Sequence, residues 1–271
     1  MALISELIFY PVKGCAGVSV SEAALTDAGL AHDRTFMVVD EDGFFRSQRT
    51  HPRLALVRPA ITADGERLTL HAPGTDDLLL HVDADATRRD VRLFGKPYRG
   101  ADQGQDTAEW LSELLGSPSR LVRVPPDHHR VTDGLTPGTS GYADSTAVSA
   151  ISRASLDELN RRLDVPLPMS RFRPNIVIDG WERPHEEDRV RRVAAGNAEL
   201  GYAKIAIRCV VTTVDQDKGV KTGPEPLRTL AAYRRAPGGG VAFGAKFSVL
   251  RPGKLTIGDE LTVTSWGVPK L

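Results

Sequence analysis

Short apolar runs separated by turn residues dominate the first hundred positions of the chain. Leu3 to Tyr10 alternates well enough to predict a first strand, which Pro11 ends. Phe36 to Val39 and Phe44 to Ser47 flank Asp40-Glu41-Asp42-Gly43, a pattern that predicts a hairpin. The same reasoning predicts strands at 60–62, 67–70, 78–82 and 90–94. Many short strands at close spacing favour a barrel or a sandwich over a parallel sheet with crossover helices.

The second half of the chain adds longer apolar segments and few helices. Ile205 to Asp215 is rich in β-branched residues and predicts a strand, in which Cys209 shares a face with Ile207 and Val211. The remaining periodic segments predict strands at 176–178, 247–250 and 254–263, and helices at 106–115, 155–163 and 226–233. The expected fold class is therefore mainly β with a few helices (α+β).

A proline-broken segment is the best candidate for a domain boundary. Ser117 to Asp133 contains Pro118, Pro125 and Pro126, which interrupt both strands and helices. A chain of 271 residues suits one large domain or two of ordinary size. We place the boundary after residue 122, which predicts two domains, 1–122 and 123–271.

Bulk composition narrows the classes of function. The 35 basic residues balance 35 acidic ones and the sequence pI is about 7.1, which argues against an extended nucleic-acid surface. The start of the chain lacks a basic flank and carries Glu6 within its apolar run, so it predicts a strand and not a signal peptide or a membrane span. We therefore expect a cytoplasmic protein with no nucleic-acid or membrane partner.

The chain has two cysteines, Cys15 and Cys209. Two are too few for a disulfide framework or for a four-cysteine iron–sulfur cluster. A thiol that follows an arginine, as Cys209 follows Arg208, can be shifted toward the thiolate, which attacks electrophiles and binds soft metals. The predicted face of Cys209 is apolar, however, and cysteines are often buried in cores. The spacing alone leaves both roles open.

Several cations stand near the ends of predicted strands. Arg171 and Arg173 are separated by one residue and point the same way in an extended chain, and Pro174 disfavours helix at Arg173. Such a pair suits a phosphate or a carboxylate, although surface ion pairs are the ordinary alternative. Lys13 and Arg34, taken alone, are typical surface charges.

These residues occur in the order found in MOSC-domain proteins, a family named for the C-terminal domain of molybdenum cofactor sulfurase. The matching segments are Tyr10 to Cys15 (YPVKGC), Asp33-Arg34, Arg171 to Val177 (RFRPNIV), Glu186 to Asp188 (EED) and Arg208 to Asp215 (RCVVTTVD). The chain most resembles the subgroup with a β-barrel N-terminal domain, as in the amidoxime-reducing component. The resemblance implies two β-barrel-like domains, an N-terminal MOSC β-barrel domain at 1–122 and a MOSC domain at 123–271.

The resemblance also implies a site for a molybdenum cofactor of the molybdopterin type. Cys209 matches the family's cysteine ligand to molybdenum and is the expected metal ligand and catalytic residue. The expected partners of the anionic pterin phosphate and neighbouring groups are Lys13, Arg34, Arg171 and Arg173, because a buried anion requires several cations. Further cofactor contacts are expected from Gly14, Ser145, Asn175, Arg208 and Thr213, and Asp215 is expected to donate a proton.

The implied activity is the reduction of N-hydroxylated or N-oxide compounds, which are small-molecule substrates. Electrons are expected from a separate donor protein, such as a ferredoxin, a flavoprotein or a haem protein. Two alternatives stay open: a sulfur carrier or transferase with a persulfide on Cys209, and a non-catalytic carrier of the molybdenum cofactor. Ala206 and Ile207 replace a frequent cysteine and serine of the family, and Gly14 replaces a frequent serine. The lost hydroxyls mildly favour sulfur transfer.

Overall fold

The computed structural model describes residues 1–269. These residues form 23 strands and three α-helices, which confirms a mainly β protein with a few helices. The strands are β1 (Leu3–Phe9), β2 (Val12–Lys13), β3 (Val18–Val20), β4 (Glu22–Thr26), β5 (Gly29–Leu30), β6 (Phe36–Val39), β7 (Arg58–Ile61), β8 (Arg67–His71), β9 (Leu78–His81), β10 (Arg88–Leu93), β11 (Lys96–Asp102), β12 (Arg120–Arg123), β13 (Val131–Thr132), β14 (Gly138–Thr139), β15 (Val148–Ser152), β16 (Ile176–Asp179), β17 (Val190–Ala195), β18 (Ala198–Arg208), β19 (Val214–Asp215), β20 (Val220–Lys221), β21 (Val241–Arg251), β22 (Gly253–Thr256) and β23 (Leu261–Trp266). The helices are α1 (Gln105–Leu115), α2 (Arg153–Asn160) and α3 (Leu227–Tyr233), with 3-10 helices at Pro52–Leu56, Met169–Arg171, Glu186–Asp188 and Val210–Thr213.

The helices begin and end where local chemistry stops them. α2 starts after Ser152, whose hydroxyl accepts the backbone N–H of Ser155 at 3.1 Å. Its cap is therefore Ser152, three residues before the predicted start at Ser155. α1 ends at Gly116, which adopts the left-handed conformation with φ 67° that glycine tolerates best. Within residues 1–269, no helix has both the length and the apolar character that a transmembrane span requires.

An eight-stranded sheet carries the larger core. Its strand order is β23-β17-β18-β21-β15-β16-β1-β3. β15 and β16 are parallel, and the other neighbouring pairs are antiparallel. β1 lies between β16 and β3, and its Ile4 and Leu7 are fully buried. The first strand of the chain is thus an interior strand of a sheet built mainly from the second half.

A second core lies in the first half, between a five-stranded sheet, a three-stranded sheet and α1. The five-stranded sheet has the order β10-β11-β12-β6-β2, and β7, β8 and β9 form the smaller one. Phe36, Leu68 and Leu111 meet in this core without solvent exposure. The predicted hairpin at 60–62 and 67–70 is confirmed by the pairing of β7 with β8.

The predicted hairpin of 36–39 with 44–47 is only partly formed: the Asp40 N–H donates to the Phe44 carbonyl and the Arg46 N–H to the Val38 carbonyl, but 44–47 is not a continuous strand. Phe44 and Phe45 form only isolated bridges, to Arg92 and Val39, and the chain then leaves the sheet. The Phe45 ring instead packs against the Phe94 ring, with centroids 4.9 Å apart. This departure frees residues 47–49 to reach the site described below.

The barrel-like part of the fold prediction is not confirmed by strand pairing. No sheet formed by residues 1–269 closes on itself through a continuous ladder of strands. The boundary after residue 122 stays a prediction: it falls within β12, and β1 and β4 pair with strands from the second half. Residues 270 and 271 of the predicted second domain lie outside the described residues.

Candidate active site

Cys209 lies where the long strand β18 gives way to a 3-10 turn. The predicted strand over 205–215 is confirmed at 205–208 and 214–215 and wrong between them, because Val210–Thr213 is a 3-10 helix. The Thr212 backbone N–H and hydroxyl both donate to the Cys209 carbonyl at 3.0 Å, which closes this turn. Strand alternation therefore stops before it could seal Cys209 in the core, and the thiol is partly exposed in a pocket.

The pocket is open to solvent on one side and has a volume of about 960 Å³, part of which is solvent space. Its walls come from segments far apart in sequence. Seven cationic side chains line it, namely Lys13, Arg34, Arg49, Arg171, Arg173, Arg208 and Lys246. The one carboxylate among its described lining residues is that of Asp144. The structure thus brings together nine of the predicted site residues: Lys13, Gly14, Arg34, Ser145, Arg171, Arg173, Asn175, Arg208 and Cys209.

Two predicted site residues lie outside the lining of this pocket. The Thr213 hydroxyl is buried and donates to the Val210 carbonyl at 2.8 Å, so it supports the turn, and Thr212 lines the pocket in its place. The Asp215 carboxylate accepts two backbone N–H groups of its own turn, and it lies 3.7 Å from Arg171. Asp215 therefore holds Arg171 from outside the pocket, a position that does not suit a proton donor to a bound substrate.

Arg49 contacts the Cys209 thiol, a contact that the sequence did not predict. Its guanidinium donates to the Cys209 sulfur at 3.6 Å and lies over the Phe94 ring, 5.8 Å from its centroid. Neighbouring Gln48 links the same loop to the second half through reciprocal side-chain hydrogen bonds with Gln216, at 2.9 and 3.0 Å. No motif in the sequence marks this loop, because its role depends on contacts across the fold.

Arg171 and Arg173 do not extend side by side as predicted. Arg171 ends a 3-10 helix, and Arg173 has a left-handed backbone with φ 54°. Arg171 donates to the Thr222 hydroxyl at 3.1 Å, whereas Arg173 donates to the Gln216 side chain at 3.3 Å. The two side chains nevertheless line one pocket, since the turn between them replaces the expected strand.

Arg208 is held by the backbone of two neighbouring segments. Its Nε donates to the Phe243 carbonyl at 2.7 Å and its Nη1 to the Phe172 carbonyl at 2.9 Å. Its Nη2 is buried and has no hydrogen-bond partner among the described residues. Burial lowers the pKa of this guanidinium to about 10. An unsatisfied buried donor is costly, so this arrangement suits a site that receives an acceptor from a ligand.

A lysine pair flanks Asp144 on another wall of the pocket. Lys13 forms an ion pair with the Asp144 carboxylate, and Lys246 donates to the Ser145 hydroxyl at 3.1 Å. Burial opposes ionisation of Asp144, but the charges of Lys13 and Lys246 outweigh it and hold the pKa of this carboxyl well below its usual range. Burial lowers the pKa of Lys246 to about 8. The sequence predicted a role for neither Lys246 nor Arg49.

Asn175 and Gly14 line the pocket, and their hydrogen bonds hold neighbouring segments of its wall in place. The Asn175 side chain donates to the Ile8 carbonyl at 3.1 Å and accepts the backbone N–H of Ser149 at 3.1 Å, so it joins β1 to β15. Gly14 has φ 85°, and its carbonyl accepts the Gln48 side chain at 2.7 Å. A side chain at position 14 would be strained by this backbone, which accounts for glycine here.

Comparison with known proteins identifies the family. The sequence matches the MOSC N-terminal beta barrel domain over residues 1–118 and the MOSC domain over residues 137–262. It is 37% identical over 278 residues to mitochondrial amidoxime-reducing component 1 of Homo sapiens, an alignment covering 95% of this chain and 82% of that protein. It is 38% identical over 280 residues to mitochondrial amidoxime reducing component 2 of Rattus norvegicus, with coverages of 95% and 82%.

The chain belongs to the MOSC-domain family. The pocket of this MOSC-domain protein carries a clear excess of positive charge. Among residues 1–269, no carboxylate lies within 4.0 Å of the cationic nitrogens of four lining residues, Arg49, Arg173, Arg208 and Lys246. Cations crowded together without counter-charges favour an anionic ligand, and a thiolate is the kind of group that binds a soft metal. The residues present therefore fit an anionic, sulfur-ligated cofactor.

Proposed function

We propose that this MOSC-domain protein is a molybdenum-cofactor-dependent reductase of N-hydroxylated or N-oxide compounds, supplied with electrons by a separate donor protein. The names of its relatives, mitochondrial amidoxime-reducing components, support this substrate class. The observation that carries the proposal is the partly exposed Cys209 sulfur in a pocket lined by seven cations.

We assign four of the seven cations to binding of the cofactor. Lys13, Arg34, Arg171 and Arg173 would hold the phosphate and neighbouring polar groups of the cofactor, and Cys209 would ligate its metal. A molybdopterin-type cofactor, when bound, supplies the two-electron redox change that reduction of an N–O bond requires. The overall reaction breaks the N–O bond of the substrate, consumes two electrons and two protons, and releases water.

The remaining residues of the pocket would bind the substrate and supply a proton. Phe45 and Ile207 line the pocket and offer apolar surface for the organic part of a substrate, and Ile207 is 45% exposed. Lys246 Nζ carries a proton that it can release near neutral pH, because burial lowers its pKa to about 8. This lysine replaces Asp215 as the proposed source of a proton.

Metal analysis of purified protein tests the proposal. We expect close to one equivalent of molybdenum in the wild type, and reduction of benzamidoxime with reduced methyl viologen as an artificial donor. Cys209→Ser should lose both molybdenum and activity, because a hydroxyl is a poor ligand for a soft metal. Cys15→Ala is the matched control: Cys15 is the other thiol, is fully buried in the second core and does not line the pocket.

The same measurements separate the alternatives. Wild-type protein without molybdenum but with labile sulfur on Cys209 would overturn the reductase and favour sulfur transfer. Bound cofactor without reduction of amidoximes or N-oxides would favour a carrier. Equal loss of molybdenum in Cys15→Ala and Cys209→Ser would remove the assigned role of the pocket thiol.

A further inference from the structure

Two arginines of the pocket share one buried aromatic ring. The guanidinium carbons of Arg34 and Arg173 lie over the Tyr10 ring, 4.1 and 4.3 Å from its centroid. Tyr10 itself is only 3% exposed and does not line the pocket. It stands behind the cations and touches both of them.

The backbones of both arginines are in an unusual conformation. Arg34 has φ 50° and Arg173 has φ 54°, a region that side-chain-bearing residues rarely adopt. Such conformations persist where the surrounding structure enforces them, and they concentrate at functional sites. The same rare geometry in two pocket cations, one from each half of the chain, indicates that their placement is specified by their neighbours.

Hydrogen bonds join this group into one unit around Tyr10. The Arg34 backbone N–H donates to the Tyr10 carbonyl at 2.7 Å, and the Tyr10 N–H donates to the Asp33 carboxylate at 2.8 Å. The Tyr10 hydroxyl donates to the Pro174 carbonyl at 3.1 Å, next to Arg173. Arg34 also donates to the Arg173 carbonyl at 3.2 Å. Tyr10 therefore links the segments of the two arginines both by its ring and by its hydrogen bonds.

Two like charges held near each other repel unless something offsets them. The Asp33 carboxylate accepts two hydrogen bonds from Arg34, at 2.6 and 2.7 Å, whereas no carboxylate among the described residues pairs with Arg173. The negative π face of an aromatic ring attracts guanidinium groups and costs little to desolvate. A tyrosine ring can thus hold the second cation beside the first without neutralising the charge that an incoming anion needs.

We propose that Tyr10 is a positioning residue that holds Arg34 and Arg173 together as a clamp for one phosphate-like anion. The two guanidinium groups bind the anion, and Tyr10 sets their spacing from behind. The clamp rests on the proposed function in one respect only, namely that the natural anion is a phosphate of the cofactor. The clamp itself is defined by the ring, the two left-handed backbones and their hydrogen bonds.

Binding of inorganic phosphate to the full chain, purified free of cofactor, tests the clamp by calorimetry. Tyr10→Phe keeps the ring face and should bind phosphate within about threefold of the wild type. Tyr10→Leu removes both stacking contacts and should weaken binding about 10-fold or more. A fall in the phosphate affinity of Tyr10→Phe as large as that expected for Tyr10→Leu would overturn the role of the ring.

Tyr202→Leu is the matched control. Tyr202 is another buried tyrosine with an arginine over its ring, Arg191 at 4.5 Å, and it lies away from the pocket. We expect this variant to lose stability but to bind phosphate like the wild type. Unchanged phosphate affinity in folded Tyr10→Leu, or an equal loss in Tyr202→Leu, would overturn the proposal. Should Tyr10→Leu fail to fold, Tyr10→Met, which also lacks a π face but fills more of the space, takes its place with the same expected loss, and unchanged phosphate affinity in it would overturn the proposal.

These measurements do not depend on molybdenum. A wild type that lacks molybdenum but binds phosphate through Tyr10 would reject the reductase and keep the clamp. A molybdenum enzyme whose phosphate affinity ignores residue 10 would keep the reductase and reject the clamp.

Discussion

Single residues set how the charge of the pocket responds to pH. Arg208 keeps its charge across the physiological range, because burial lowers its pKa only to about 10. Burial lowers the pKa of Lys246 from the ordinary 10.5 to about 8. Lys246 is therefore mostly charged below about pH 7 and mostly neutral above about pH 9. The pocket loses positive charge in the alkaline direction.

We predict that sulfate, whose own charge is constant in this range, binds the cofactor-free protein less tightly as the pH rises from 7 to 9. The loss should be about fivefold for one partly buried charge. Lys246→Gln should bind sulfate weakly at pH 7 and change little toward pH 9. Lys218→Gln, an exposed lysine outside the pocket, serves as control and should follow the wild type. A pH profile that is the same in Lys246→Gln and the wild type would contradict this assignment.

The sequence predicted those pocket-lining residues that stand in a motif, and it did not predict those that only the fold brings to the pocket. Lys13, Arg34 and Arg208 stand in segments that match the family, and all line the pocket. Arg49 and Lys246 stand in segments without such a signal, so their position depends on how distant loops and strands pack. Thr213 was predicted to contact the cofactor, but its neighbour Thr212 lines the pocket, because a 3-10 turn replaces the predicted strand.

At the scale of elements, a bulge between β18 and β21 shapes the wall beside Cys209. Ile205 pairs with Ala245 and Ile207 with Ala242, so β21 contains one more residue than β18 over this stretch. Gly244 lies in the extra segment with φ 79°. The short strands and hairpins of the first half were predictable from turn residues, whereas the pattern of apolar and polar residues in β18 and β21 does not predict this bulge.

We predict that Gly244→Ala destabilises the protein by about 3 kcal/mol in urea denaturation, through backbone strain and overpacking. An added Cβ would lie 2.5 Å from the Ile151 side chain and 2.8 Å from the Ala150 carbonyl. Gly239→Ala is the control: it has a similar φ of 89° but meets no atom within 4 Å, so only the strain of about 1 kcal/mol applies. Equal losses in the two variants would show that packing at position 244 does not matter.

At the scale of the whole molecule, the two halves are joined through sheet and site alike. β1 supplies an interior strand to the sheet of the second half, and Ile4 and Leu7 are buried in its core. The pocket likewise takes Lys13 and Arg49 from the first half and Cys209 from the second. Apolar patterns predicted β1 as a strand, but they could not predict a partner so distant in sequence.

We predict that a fragment of residues 123–271 does not fold alone, because it lacks β1 and the side chains of β1 that complete the larger core. The fragment should show no cooperative thermal transition and little near-ultraviolet circular dichroism. Adding the fragment 1–122 in trans should restore both signals, since it carries the missing strand. A stable, cooperatively folding 123–271 fragment would instead support independent domains.

The interior position of β1 has a consequence for biosynthesis. Leu7 is synthesised well before its neighbour in the sheet, Ile176. At roughly 5–20 residues per second, β1 waits on the order of 10 to 30 seconds before β16 is available. During that interval β1 can pair with β3 on one edge, but its other edge has no partner strand. Nascent chains of this protein should therefore depend on chaperones that shield this unpaired edge and the apolar side chains beside it.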